Sequence, residues 1–207
     1  LNKALTRRGL CLVVAAPSGA GKSTITRALL AGDPNLSLSI SVTTRAPRKG
    51  EQEGVHYFFR DRPTVQAMRA RGELLESADV FDNIYGTPRA PVEQALDAGR
   101  DVLFDIDWQG HRLLRQALPG DVVGVFVLPP SMAHLQARLQ ARGDPPDAVA
   151  RRMRAAAAEI SHWREFDKVV VNAELDQAIA DIGAILRAER LATARQIGEW
   201  ADAGAAS

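Results

Sequence analysis

The chain has 207 residues, 46% hydrophobic and 25% charged, which suits one globular domain with a substantial core. Its net charge of +1 supplies no global field to draw it onto a nucleic acid polymer or an acidic membrane. No apolar run approaches the roughly 20 residues that cross a bilayer, and one cysteine, Cys11, cannot close an intramolecular disulfide. It reads as a small core hydrophobe in a reducing, cytoplasmic setting.

Leu1–Arg8, basic at both ends and without a signal-peptide core, reads as a loose terminus. Four apolar runs then predict buried strands: Leu10–Ala16, Val102–Ile106, Val122–Leu128 and Lys168–Val171. Each is continuous rather than alternating, as in a sheet covered on both faces. Helical patterns follow them at Lys22–Leu30, Gln109–Leu118, Met132–Arg142 and Leu175–Leu191. The alternation predicts an α/β fold, a parallel sheet flanked by helices. Leu38–Arg89 interrupts it with strand-like pieces at Leu38–Thr43, Val55–Phe59 and Leu74–Val80 and a short helix at Thr64–Arg71, a small mixed α+β insertion. Arg142–Asp147 is a polar loop between two arginine-rich helices, whose two prolines keep those helices from fusing. Leu175–Trp200, long and partly apolar, packs on its own core or on another subunit, which leaves a homo-oligomer open.

Between the first strand and its helix lies Ser18-Gly19-Ala20-Gly21-Lys22-Ser23-Thr24. Gly19 and Gly21 let backbone N–H groups converge on an anion, and the helix start adds its free N–H groups and dipole. Lys22 reaches the β- and γ-phosphates of a bound nucleotide, and Ser23 ligates Mg²⁺. Ala16 replaces the first glycine of the strict pattern. The loop specifies nucleotide binding and leaves the reaction unnamed.

In the insertion, Arg45 and Arg48 flank Pro47, a rigid fork for one anion or else a solvated basic loop. Tyr57 and Tyr85 offer hydroxyls to an anion or pack half-buried. Arg138 and Arg142, four apart, share a helix face beside the Pro-Pro loop, with Arg152 across it; Arg151 and Arg154 read as solvated. Asp105 closes an apolar strand at the end where parallel sheets present ligand-facing groups. It holds a Mg²⁺-bound water, or positions Lys22 or Arg45 through an ion pair. The four histidines show no metal-ligand spacing.

Ala16–Thr24, Ser41–Glu51 with Tyr57, Gly72–Glu76, Tyr85-Gly86-Thr87 and Asp105-Ile106-Asp107-Trp108-Gln109-Gly110 together resemble the bacterial guanylate kinases. Arg138–Gly143, Arg152-Met153, Ser161-His162 and Val169–Asn172 extend the likeness from about residue 10 to residue 190. The resemblance implies a phosphate-loop kinase that passes a phosphate from ATP, with Mg²⁺, to GMP and also dGMP. It implies that Pro17, Ser18, Gly19, Ala20, Gly21, Lys22, Ser23 and Thr24 bind ATP. Arg45, Arg48, Tyr57 and Tyr85 take the GMP phosphate; Ser41, Glu76, Thr87 and Asp107 read guanine, with Gly86, Asp105 and Gly110 in the same site. Guanine donates at N1 and N2 where adenine has no N1 donor, so paired carboxylates discriminate the two. Lys22, Arg45, Arg138, Arg142 and Arg152 serve catalysis, and Ser23 and Asp105 the metal. Asn172 lies by the adenine or caps the following helix. Ile84 and Val42 depart from residues common in the family, and Pro88 restricts the backbone of Thr87. The implied division is a discontinuous core over 9–37, 90–137 and 153–194, an acceptor subdomain over 38–89 and a lid over 138–152. Two rivals are a kinase of phosphorylated sugars, with no reason to keep Ser41, Glu76 and Asp107 together, and a silent phosphopeptide-binding module, with no need of Lys22, Ser23 and the lid arginines.

Overall fold

A computed structural model describes residues 6–80, 82–141, 143 and 145–197. Along the first half run β1 (Thr6–Arg7), β2 (Cys11–Ala15), α1 (Lys22–Gly32), β3 (Leu36–Leu38), β4 (Val42–Thr43), β5 (Phe58–Phe59), α2 (Arg62–Ala70), β6 (Leu74–Val80) and β7 (Asn83–Pro88). The second half adds α3 (Arg89–Asp97), β8 (Asp101–Phe104), α4 (Trp108–Ala117), β9 (Val122–Leu128), α5 (Met132–Ala141), α6 (Pro146–Ile160), β10 (Lys168–Val171), α7 (Leu175–Arg190) and β11 (Gln196–Ile197).

The central sheet has the order β10-β9-β2-β8-β3, and every pairing in it is parallel. Strand β2 is buried along its whole length. Because side chains alternate across a strand, Leu12 and Val14 pack with Ile25 of α1 and Ile182 of α7 on one face. Cys11, Val13 and Ala15 pack with Leu96 of α3 and Leu114 of α4 on the other. Burial also pushes the Cys11 thiol far up, so it stays protonated and inert. The two covered faces are the physical reason these strands read as unbroken apolar runs.

The insertion forms a second sheet, β5-β4-β7-β6, in which β7 runs antiparallel to both β4 and β6. Helix α2 covers it, with Val65 closing on Val42 and Ile84. The two family departures at 42 and 84 are therefore core residues of this sheet. Helix α2 starts where Asp61 accepts the Thr64 N–H at 2.8 Å, a side-chain cap on an otherwise unpaired donor. Helices α5 and α6 make a hairpin with its own core, Leu135 and Leu139 against Val149 and Ala156.

Several expectations need correction. The piece predicted over Leu38–Thr43 divides, since β3 joins the central sheet and β4 the small one. The piece over Val55–Phe59 shrinks to β5. Strand β10 is an edge strand rather than a buried one: Val169 is 37% and Val171 51% exposed. Residues 6–8 are tied down rather than loose, for β1 pairs antiparallel with β11 and Arg8 reaches Asp121. Of the stretch to Trp200, α7 packs on the chain's own core through Ala178, Ile182 and Leu186, and residues 198–200 lie outside the described residues.

Candidate active site

Strands β2, β8 and β10 point their C-terminal ends to one side, where parallel sheets place their ligands. After β2 the chain turns through Gly19 (φ 96°) and Gly21 (φ 99°), a left-handed conformation that side chains disfavour. Space enforces the same choice. A Cβ at Gly19 would lie 3.0 Å from both Leu135 and Leu139 of α5, and one at Gly21 would overlap the Asn172 amide. Helix α1 begins at Gly21 with no side-chain cap, so its first N–H groups stay available to an anion. Pro17, Ser18, Gly19, Gly21, Lys22, Ser23 and Thr24 line a cavity of about 350 Å³, with Ala20 buried beneath it.

A second cavity of about 210 Å³ lies between the two sheets and is lined by Ser41, Tyr57, Thr87 and Asp105 among others. The Thr87 hydroxyl donates to Glu76 Oε1 at 2.7 Å. Burial pushes the Glu76 carboxyl above the ordinary range, the Thr87 hydroxyl pulls it back, and the Asp107 charge pushes it up again. Tyr57 and Tyr85 meet edge to face at 5.9 Å, and the Arg45 guanidinium lies 5.4 Å from the Tyr57 ring centre. Arg45 Nη2 donates to both Glu51 oxygens, at 2.7 and 2.9 Å, and the Arg48 N–H donates to Glu51 at 2.7 Å. The Arg48 side chain is exposed. Gly86 pairs with Ser77 and Val42 inside the small sheet. Gly110 N donates to Asp107 Oδ1 at 2.9 Å.

An ion pair between Lys22 and Asp105 links the two cavities. Of the roles left open for Asp105, the pairing with Lys22 is the one formed here. Asp107, expected beside the base, lines the loop cavity and caps α4. The capping role considered for Asn172 is not taken up, because Glu174 stands at the N-terminus of α7 and offers no side-chain bond. Asn172 is instead buried, its Nδ2 donating to the Ala20 carbonyl at 2.7 Å while its Oδ1 lacks a partner. Arg138 Nη2 donates to the Asn172 carbonyl at 3.0 Å. Arg152 lies half-buried on α6 and Arg151 and Arg154 are exposed; Arg142 lies outside the described residues.

Two acids at the site escaped the sequence reading. Glu51 stood inside the arginine motif without a role, although its spacing from Arg48 suits a turn. Glu159 lines the loop cavity from α6, and its seven-residue separation from Arg152, two helical turns, was the available signal.

A parallel sheet whose first strand feeds a glycine turn and a helix N-terminus defines a phosphate-loop nucleotide-binding protein. The family model described as guanylate kinase matches residues 8–189. A guanylate kinase of Granulibacter bethesdensis is 65% identical over 190 residues, covering 92% of this chain and 89% of the relative. One of Gluconobacter oxydans is 63% identical, covering 93% of each. The crystal structure of guanylate kinase from Anaplasma phagocytophilum superposes with a TM-score of 0.74 at 40% identity, covering 95% of this chain and 94% of that one. The chain belongs to the guanylate kinase family.

Proposed function

We propose that this chain transfers the γ-phosphate of ATP to GMP, giving ADP and GDP. The observation that carries the acceptor's identity is the half-buried Glu76 carboxyl, bonded to Thr87 beside the Ser41–Tyr57 cavity. An acid so placed is costly unless a donor reaches it, and guanine N1–H and N2–H are such donors. Ser41 faces O6. Arg45, held by Glu51, with Arg48, Tyr57 and Tyr85 takes the acceptor phosphate. The assigned groups read base and phosphate rather than sugar, so dGMP is an acceptor too.

On the donor side the loop from Pro17 to Thr24 holds the ATP phosphates, and Lys22, aligned by Asp105, neutralises the transferred group. Asn172, buried with its amide on the Ala20 carbonyl, serves the donor by supporting the loop. Arg138 and Arg152 come from the α5–α6 hairpin to the transferred phosphate and exclude water, which otherwise would hydrolyse ATP; Arg142, outside the described residues, joins them by the family resemblance alone. Residues 138–152 act as the lid, 38–89 as the acceptor subdomain and the rest as core. The exposed Ser23 hydroxyl, second in α1, is a hard oxygen donor of the kind Mg²⁺ takes alongside phosphate oxygens. When bound, Mg²⁺ supplies further positive charge at the phosphates. Both substrates and the free thiol suit the cytoplasm.

ADP release measured with GMP, AMP and a phosphorylated sugar as acceptors tests the assignment. GMP should be used and the others ignored. Equal turnover of AMP and GMP removes the base-reading model, and turnover of the sugar alone replaces it.

A further inference from the structure

Glu159 is unexplained by anything above. It comes from the last turn of α6, seven residues beyond Arg152, and its side chain enters the phosphate-loop cavity. One carboxyl oxygen, Oε2, is buried without a hydrogen-bond partner. The Ser18 N–H faces the carboxyl, Lys22 acts on it from α1, and Asp107 acts on it from the start of α4. Lys22 is already engaged by Asp105. His162, just beyond α6, is turned to Glu165 and stacks on Trp108. The net surroundings are thus poor in free positive charge, and desolvation, the largest influence, pushes the Glu159 carboxyl above the ordinary range against the pull of Ser18 and Lys22.

The cavity that Glu159 enters is the one in which phosphates would lie. With Asp107 already lining that cavity, a second carboxylate adds a like-charge penalty to an entering triphosphate. The cheapest relief is a proton on the carboxyl, which already has one oxygen buried without a partner. We propose that Glu159 is the proton carrier of the donor site: its carboxyl takes a proton from solvent as the ATP phosphates enter, donates that O–H to a phosphate oxygen, and returns it to solvent when the nucleotide leaves. The group then changes from a repelling anion to a hydrogen-bond donor, and donor binding is proton-linked. This rests on the reading of residues 17–24 as the donor-phosphate site.

The test is calorimetric. ATP with saturating Mg²⁺, so that the nucleotide itself carries no titrating phosphate, is titrated without GMP into wild type and Glu159→Gln. Each titration is run in buffers of different ionisation enthalpy at mildly acidic and neutral pH. Wild type should take up a substantial fraction of a proton per ATP bound, and Glu159→Gln should lose that uptake. Equal proton uptake in the two proteins overturns the proposal while leaving the donor site standing. Absence of ATP binding to wild type overturns the donor-site reading itself, and the proposal with it. Should Glu159→Gln fail to fold, the wild type still decides: its ATP affinity must weaken as pH rises, and a flat profile overturns the inference.

Discussion

At the residue scale the acceptor site depends on two carboxyls in opposite states. Glu51 is held down to about 2 by the Arg45 guanidinium, the Arg48 N–H assisting. A carboxyl so depressed is ionised at every pH suited to assay, and its contribution is present above the unfolded carboxylate value and lost only as pH falls toward about 2. It fixes the Arg45 guanidinium, and under the proposed assignment that orients Arg45 before a phosphate arrives and lowers the ordering cost of binding. Glu51→Ala should raise KM for GMP about tenfold, the scale of losing a charge-assisted bond, with KM for ATP unchanged; equal changes in both would argue for a general structural role. Glu76 is the reverse case, a carboxyl raised by burial. The folded chain holds that proton at pH values where the unfolded chain has released it, so stability falls as pH rises through the window. Activity should run the other way, because an ionised acceptor suits guanine's donors. kcat/KM for GMP should climb with pH through the raised Glu76 value, and Glu76→Gln should flatten that limb, lower the plateau and leave the melting temperature unchanged or higher. A Glu76→Gln enzyme with the wild-type limb would remove Glu76 from base reading.

At the scale of elements, β9 and α4 meet through a buried pair. His111 of α4 stacks on Phe166 at 4.1 Å, neither ring nitrogen has a partner, and desolvation, then Arg115, keeps the imidazole's pKa low. Gly124 of β9 makes room for it, since a Cβ there would overlap His111 and lie 2.9 Å from Phe166. Gly124→Ala should cost roughly 1–3 kcal/mol by overpacking, read as a lower denaturant midpoint with activity per folded molecule retained; an unchanged midpoint would mean the rings simply shift. The neutral His111 also predicts stability that is intact above the unfolded histidine value of about 6.5 and declines as pH falls through it. None of this was legible beforehand, since a lone histidine on a helix carries no pattern. Val122–Leu128, packed on both faces, matches its strand to the residue, and so does Lys168–Val171, whose β-branched run marks even an exposed edge strand. Strand β7 was missed because Gly86 and Pro88 look like turn residues, although Gly86 is glycine because a Cβ would sit 2.9 Å from the Glu76 carbonyl. Helix α3 was missed for the same reason, although Pro91 falls in its first turn, where the absent N–H costs nothing. The glycine turn of the phosphate loop was legible as a local string. Glu51 and Glu159 act through partners that only the fold supplies.

At the scale of the whole molecule, β1 and β11 are clasped together at the edge of the sheet opposite the site. Asp101, at the start of β8 and fully buried, accepts from Arg7 Nη1 and Nη2 at 2.7 and 2.8 Å, from Leu10 N at 3.0 Å and from Arg190 Nε at 2.7 Å. Arg190 also pairs with Asp33 at 2.6 Å, and β1 and β11 close over the network. One carboxylate thus joins β1, β2, β8 and α7. At about 3.3 Å per residue, β8 separates Asp101 from Asp105 by some 13 Å, so the clasp and the Lys22 pair share a strand without sharing a contact. Asp101→Asn keeps the shape but takes this charge from Arg7 and leaves Arg190 with Asp33, and breaking a buried pair costs about 3 kcal/mol. For a chain of this size that corresponds to a fall of roughly 6–12 °C in melting temperature. Burial shields the pair from salt, so the difference between wild type and variant should persist at high ionic strength. Below the transition, kcat and both KM values should match wild type, because the parallel strands carry their loops to the other end. A variant that melts normally would show that β1 and β11 stay paired without the charge. One that melts early and also loses affinity for ATP would show that strain at the clasp travels along β8 to Asp105 and Lys22.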